Sequence, residues 1–411
     1  MTQSMSIAPL HIVIATGEVM ANLIPLIYAS RNGEIEEVWV LVSDEMRERP
    51  ARQHLVAAIE KFCNVDKVVI REGLDDSNPH EIEAFAKGIS RIIATETNFQ
   101  SVAYHATGGK KLHSHIFARV LEFETKLDVQ ILYSDGASGT LVDIVNLSNG
   151  GVVKVGDLLS TEEYLFAQGY ESLTIDSANP KWTENYQLRK PFTDLLFRSF
   201  TAPTSRNKIK IGDFNRDFNT GERPIPLNPT YVGSYARSIF QNPLFKSVFS
   251  NVKVENESDS ANSISLSGLT VGDSQYLSGR WFEELIYSWL TKDLTPLGAT
   301  VSCGIQIRPI EKSTNAQNEL DIVIYSNNNL AVIECKTSRF DSKLGNQTAY
   351  KTNDITKRIT GAHTKAVVVS LQPIDQDTKR FRFDPRVAIY DISNIKNLTS
   401  DMIAWVKQTL A

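Results

Sequence analysis

The sequence predicts an α/β fold with two globular units, on three observations. Its 411 residues exceed what a single hydrophobic core usually supports. Its first third alternates short apolar strand-like runs with helix-length amphipathic segments, the pattern of a parallel sheet covered by helices. Its last third carries a second set of strand-like runs behind an apolar helix-like stretch.

In the first third the strands are expected at His11 to Ala15, Glu37 to Val42, Lys67 to Arg71, Ser101 to His105 and Val129 to Ser134. Helices are expected between them at Ala21 to Ser30, Met46 to Phe62, Glu81 to Thr95 and Leu112 to Glu124. Such a sheet binds ligands at the carboxyl ends of its strands. Residues 1–153 are taken as this first domain and residues 154–260 as a connecting region. The connector has helical signals at Thr161 to Gln168 and Lys190 to Phe200, then loop-forming Pro203, Pro224, Pro226 and Pro229. The polar Ser- and Asn-rich stretch Asn251 to Ser267 marks the second boundary, and residues 261–411 form the C-terminal domain. There a helix is expected at Tyr276 to Thr291, strands at Thr300 to Arg308, Leu320 to Tyr325 and Leu330 to Lys336, a helix at Ala349 to Thr360, strands at Ala366 to Ser370 and Val387 to Ile392, and a closing helix.

A net charge of -5 excludes a protein that coats nucleic acid by bulk electrostatics, so any such contact must be local. The cysteines, Cys63, Cys303 and Cys335, form no close pair of the kind zinc sites use, which fits a reduced, cytoplasmic setting. No basic segment precedes the first apolar stretch, and no apolar run is long enough to span a bilayer.

The run from Asn318 to Tyr325, the turn-forming Ser326 to Asn329 and the run from Leu330 to Lys336 read as a hairpin. A turn centred between Asn327 and Asn328 sets Val323 opposite Val332 and Asp321 opposite Glu334. Opposed side chains lie about 4.5 to 5.5 Å apart, and two carboxylates there repel unless a proton or cation lies between them. A hard cation such as Mg²⁺ or Mn²⁺ meets that need and would activate water for attack on a phosphoryl group. Alternation puts Lys336 on the face of Glu334, where its ammonium can orient that water or offset phosphoryl charge. The competing reading is an exposed acidic hairpin with a Glu334–Lys336 ion pair, but the apolar flanks argue for burial.

Asp321 followed by Glu334-Cys335-Lys336 resembles the core of the PD-(D/E)xK nuclease superfamily. Gly279-Arg280-Trp281-Phe282-Glu283-Glu284 resembles that superfamily's helix, whose glutamate supplies a third carboxylate. Glu283 is preferred, because Trp281, Leu285 and Trp289 share one stripe and leave its side free; Glu284 stays open as the alternative. Gln347, Tyr350 and Lys351 are candidates for seating a nucleic-acid backbone, with a solvated helix face as the alternative.

In the N-terminal domain, Ala106-Thr107-Gly108-Gly109-Lys110-Lys111 joins the strand ending at His105 to a helix. Glycines allow close backbone approach, the helix start offers free N–H groups and the lysines supply charge, so phosphate is the expected guest. Taken alone, the same segment is also an ordinary βα turn with two solvated lysines. Thr16, Gly17 and Glu18 with Asn22, and Ser43 with Asp44, should converge on the same sheet edge. Together these turns resemble the CARF domain, the CRISPR-associated Rossmann-like sensor of cyclic oligoadenylates, whose T-G-G-[TK]-K turn matches Thr107 to Lys111, with His105 standing where an asparagine is common.

A CARF domain followed by a PD-(D/E)xK domain resembles the ancillary nucleases of type III CRISPR antiviral systems. The resemblance implies a homodimer joined through its sensor domains, with cyclic tetra-adenylate across the dimer axis and an allosteric effect on cleavage. It further implies Mn²⁺- or Mg²⁺-dependent cutting of DNA, and in some members RNA. Two other classes compete: a nuclease that ignores nucleotide, and a non-enzymatic ligand-responsive regulator in which the carboxylates are a structural ion cluster.

Overall fold

The computed structural model describes residues 5, 7–136, 138–147, 151–201, 230–232, 239–256, 263–310, 317–337 and 364–410. The N-terminal domain is built from β1 (Leu10–Ile14), α1 (Val19–Asn32), β2 (Ile35–Ser43), α2 (Pro50–Phe62), β3 (Val65–Leu74), α3 (Pro79–Glu96), β4 (Ser101–His105), α4 (Lys111–Glu124), β5 (Asp128–Asp135), β6 (Thr140–Asp143) and β7 (Val152–Lys154). Its sheet runs β3-β2-β1-β4-β5-β6-β7. The first five strands are parallel, as expected, whereas β6 and β7 extend the edge antiparallel. The single helix expected from Met46 to Phe62 is interrupted, because Pro50 has no N–H to donate and instead opens α2.

Strand alternation divides the core. Val13, Val38 and Val40 pack with residues of α1 and α2, while Ile12, Trp39 and Leu41 face α3 and α4. Strand order reverses between β1 and β4, and such a switch point opens a crevice at the strand ends. The turns at Thr16-Gly17 and Thr107 to Gly109 both flank that crevice.

The connector is more structured than its sequence implied. After α5 (Thr161–Ala167), β8 (Tyr170–Ile175) pairs antiparallel with a strand of the C-terminal sheet, and α6 (Pro180–Thr201) follows. A small sheet joins β9 (Thr230–Val232), β10 (Lys253–Asn256) and β11 (Ser263–Ser267), with α7 (Pro243–Val248) among them. The stretch read as a polar boundary thus contains two paired strands, since backbone pairing needs no apolar side chain.

The C-terminal part comprises α8 (Trp281–Leu294), β12 (Thr300–Pro309), β13 (Asn318–Ser326), β14 (Asn329–Lys336), β15 (Lys365–Ser370), α9 (Gln376–Arg382), β16 (Val387–Tyr390) and α10 (Leu398–Leu410). Its sheet order is β16-β15-β14-β13-β12-β8. One face, including Ile322, Ile324, Ala331 and Ile333, packs on α8, α6 and α10. The other, including Val323, Tyr325, Leu330 and Val332, belongs to the same core as α1, α2 and α5. The two domains therefore share apolar core across their junction. Among the described residues no helix is long and apolar enough to cross a membrane.

Beneath the β1–β4 switch point, His11 and His105 are fully buried, with His11 Nδ1 2.8 Å from His105 Nε2. Burial pushes His11 down to about 4 and His105 well below its ordinary value. Both rings are neutral in the fold and readily protonated when unfolded, so stability is complete above about pH 6.5 and falls as the pH drops towards 4. The loss for His11 alone is on the order of 3 kcal/mol. Thermal unfolding followed from pH 7.5 to 4.5 should show this decline, and it should be shallower in the His11→Leu/His105→Leu double variant.

Candidate active site and ligand cavity

The hairpin positions the acidic cluster. Asn327 and Asn328 adopt φ of 48° and 60°, the left-handed pair that a two-residue turn requires and that asparagine tolerates. The turn fixes the register Ser326↔Asn329 through Val323↔Val332 to Ile322↔Ile333, as the sequence anticipated. Beyond Ile322 the Asp321 side chain turns to the partner strand, where its Oδ2 accepts the Cys335 N–H at 2.7 Å. Glu334 is buried and its Oε1 lies 2.5 Å from Lys336 Nζ. Burial opposes the Lys336 charge, but Glu334 and Asp321 outweigh it and raise its pKa, so the ammonium persists at neutral pH.

Two adjacent glutamates on α8 separate by role. Glu284 is buried and ion-paired with Arg189 of α6. Glu283 lies on the other side, where burial first, then the charges of Asp321 and Glu319, hold its carboxyl well above the usual range. Glu334, Asp321 and Glu283 thus all lie close enough to act electrostatically on Lys336, and Asp321 and Lys336 on Glu283.

Among the described residues, no three His, Cys, Asp or Glu side chains form a group that would hold a metal ion as they stand. Asp321 is engaged by the Cys335 amide and Glu334 by the Lys336 ammonium. The donors nevertheless fit a hard divalent cation in kind: they are carboxylates, and the Glu283 carboxyl is raised by burial and then by the charges of Asp321 and Glu319, which a cation would offset.

Sequence reasoning did not assign Arg280, Glu319 or Asp176. Arg280 lies 3.5 Å from Glu319 and 3.6 Å from Asp176, and its charge acts on Glu283. Glu319 could have been found, because it sits two residues before Asp321 on the same strand. Asp176 could not, since nothing local links the end of β8 to this site. Gln347, Tyr350 and Lys351, and the helix expected at Ala349 to Thr360, lie outside the described residues.

At the switch point of the N-terminal sheet lies a cavity of about 360 Å³ whose lining includes Thr16, Gly17, Glu18, Thr107 and Gly109. A smaller one of about 170 Å³ adjoins it and is lined by Ser43, Lys110 and Gly109 among others. Gly109 has φ +82°, and a Cβ there would press on Ile14 and His113. Gly108 is closed to any side chain by Asn22 and the Ile14 carbonyl.

Three expected ligand contacts sit elsewhere. His105 is fully buried against His11 and does not reach either cavity. Asn22 is fully buried too; its Nδ2 donates to Ile14 O at 2.8 Å and its body supports Gly108 from below. Lys111 is exposed at the start of α4 and lines neither cavity. Lys110 is half-exposed, 3.0 Å from Glu45 and 3.3 Å from Asp76, so a ligand phosphate would compete with two carboxylates for it.

Residues 272–409 match the family model described as the Card1-like endonuclease domain. In structure the chain is similar to Can2 from Sulfobacillus thermosulfidooxidans, solved in complex with cyclic tetra-adenylate, with a TM-score of 0.70 at 19% identity over 97% of this chain and 98% of that one. It is also similar to protein VC1899 from Vibrio cholerae, with a TM-score of 0.72 at 17% identity and the same coverage. A type III CRISPR defence DNA nuclease activated by cyclic oligoadenylate matches with a TM-score of 0.52 at 15% identity, over 97% of this chain and 52% of that one. No curated protein matches the chain significantly in sequence. Residues 272–409 are therefore similar to Card1-like endonuclease domains, and the chain shares its fold with these proteins.

Replacing Arg189 by Ala would strand the buried Glu284 carboxylate, and unfolding free energy should fall by about 3–5 kcal/mol in urea denaturation. An unchanged midpoint would mean that the pair is not structural, and would return Glu284 as a rival to Glu283.

Proposed function

We propose that this chain is a cytoplasmic endonuclease of type III CRISPR antiviral defence, switched on when cyclic tetra-adenylate binds a dimer of its N-terminal CARF-like domains. Its substrate is DNA, with RNA the second polymer to test, and its cofactor is Mn²⁺ or Mg²⁺. The observation that carries the reading is the meeting of Glu283, Asp321, Glu334 and Lys336 inside a segment that matches an endonuclease domain.

Asp321, Glu334 and Glu283 would hold the divalent ion, which supplies charge neutralisation at the phosphoryl group and acidifies water. Lys336 keeps its proton, so it serves as a donor to the attacking water or to phosphoryl oxygen and not as a base. Its contact with Glu334 fixes the direction of the ammonium. In the N-terminal domain, the turn at Thr107 to Gly109, the Thr16-Gly17 turn and Lys110 offer backbone N–H groups and charge to phosphates. A two-fold ring suits a two-fold axis, and the similarity of the fold to a protein solved with cyclic tetra-adenylate supports that ring as the activator.

Labelled single- and double-stranded DNA and RNA incubated with Mn²⁺ or Mg²⁺, with and without cyclic tetra-adenylate, test the reading. Cleavage should require the nucleotide, and Glu334→Ala should lower it by at least about 10²-fold. Lys110→Ala should weaken effector affinity by roughly tenfold, as loss of one charge-assisted bond would. Cutting that ignores the nucleotide would leave a nuclease without a sensor, and no cutting under any condition would favour a binding-only regulator.

A further inference from the structure

The tip of a β-hairpin is ordinarily solvated, yet Asn327, Asn328 and Asn329 are 7%, 9% and 4% exposed. They are buried largely against the other domain and the connector. Asn328 Oδ1 accepts the Leu158 N–H at 2.9 Å, its Nδ2 donates to Gly156 O at 2.8 Å, and Asn329 Nδ2 donates to Gly136 O at 3.0 Å. Gly139, with φ +60°, lies so close to Asn327 that a Cβ there would fall 2.0 Å from the amide nitrogen.

The same asparagines line the 360 Å³ cavity across from Gly17, Thr107 and Gly109. The putting together of a nuclease turn and a ligand-binding turn around one space is not required by either fold alone. We propose that the Asn327–Asn329 turn is part of the effector site, reading a base or ribose edge of the bound nucleotide, and that it passes occupancy to Asp321 and Glu334 through its own two strands. This rests on the effector reading above.

Three considerations support it. Asparagine amides present a donor and an acceptor side by side, the pattern that matches the N6/N7 edge of adenine, and here a nucleotide would engage them in exchange for the bonds they make to Leu158, Gly156 and Gly136. The turn and Asp321 are joined by the five paired residues Ile322 to Ser326, six steps of about 3.3 Å or roughly 20 Å, with no loop between them to absorb a displacement. Val323, Tyr325, Leu330 and Val332, on the strand face that alternation assigns to Glu334, already pack in the core shared with α1, α2 and α5. A ligand that competes for the carbonyls of Gly136 or Gly156 would shift the turn, and the hairpin would carry that shift to the carboxylates.

The test uses the full-length protein, wild type alongside Asn329→Ala and Asn327→Gly; glycine keeps the positive φ of the turn while removing the amide. Cyclic tetra-adenylate affinity is measured by calorimetry with and without Mn²⁺ and a phosphorothioate DNA that resists cleavage, together with the ratio of stimulated to basal cutting and the melting temperature. In the wild type, occupancy of the nuclease site should change effector affinity about fivefold or more, because coupling is reciprocal. Asn327→Gly, which also gives up the buried bond to the Thr409 carbonyl, should stay folded with only a modest drop in melting temperature while losing most of that coupling and about tenfold of the stimulation ratio. Unchanged coupling and stimulation in both variants would overturn the inference and leave the proposed function intact. So would a loss of stimulation matched by a collapse in melting temperature in both variants, which would make the turn a packing element. A wild type that neither binds nor responds to cyclic tetra-adenylate would remove the proposed function itself.

Discussion

Everything in the C-terminal half depends on a two-residue turn whose backbone lies in the left-handed region. A slip of one residue in the β13–β14 register would send Asp321 and Glu334 to opposite faces and scatter the acidic cluster. Asn327 and Asn328 prevent it, because few residues other than glycine accept positive φ at both turn positions. Their amides are spent on bonds to the connector, to α10 and to each other's surroundings, so the constraint that sets the register also clamps the two domains.

The electrostatics around the hairpin form a graded arrangement. Lys336 compensates Glu334 directly, and Arg280 spans Glu319 and Asp176 at longer range. Glu283 is pushed up by burial and then by Asp321 and Glu319, with Arg280 and Lys336 opposing them. Glu284, one residue later, is neutralised by Arg189 and serves the packing of α6 on α8. A helix turn of 100° per residue is enough to send two identical side chains to different tasks.

Much of this was legible in the sequence, and for definite reasons. The parallel strands announce themselves because each is a dense apolar run between helix-period segments, and β4 was bounded correctly at both ends. The hairpin register as far as Ile322↔Ile333 followed from the asparagine turn alone, whereas the expected Asp321–Glu334 pair lies beyond the last paired residues. By contrast, β8 is short, mixed in polarity and paired with a strand more than a hundred residues away, so no local pattern could reveal it. His105 looked like a ligand contact because it precedes the glycine turn, but β4 is a central strand buried on both faces, and His11 receives the ring in the interior. The cavity wall made by Asn327 to Asn329 was hidden for the same reason as β8: it depends on how two domains meet.

The place of β8 bears on how such a molecule is divided. Because this connector strand completes the edge of the C-terminal sheet, the catalytic unit as a folding body begins near Tyr170 and not where its sequence motif starts. Separation at the motif boundary would bare a row of unpaired donors and acceptors along β12, an invitation to pair with a neighbouring chain. Recombination that exchanges one N-terminal domain for another would therefore succeed only where the seam falls ahead of that strand, so the natural unit of inheritance for the C-terminal domain includes a piece that carries no chemistry.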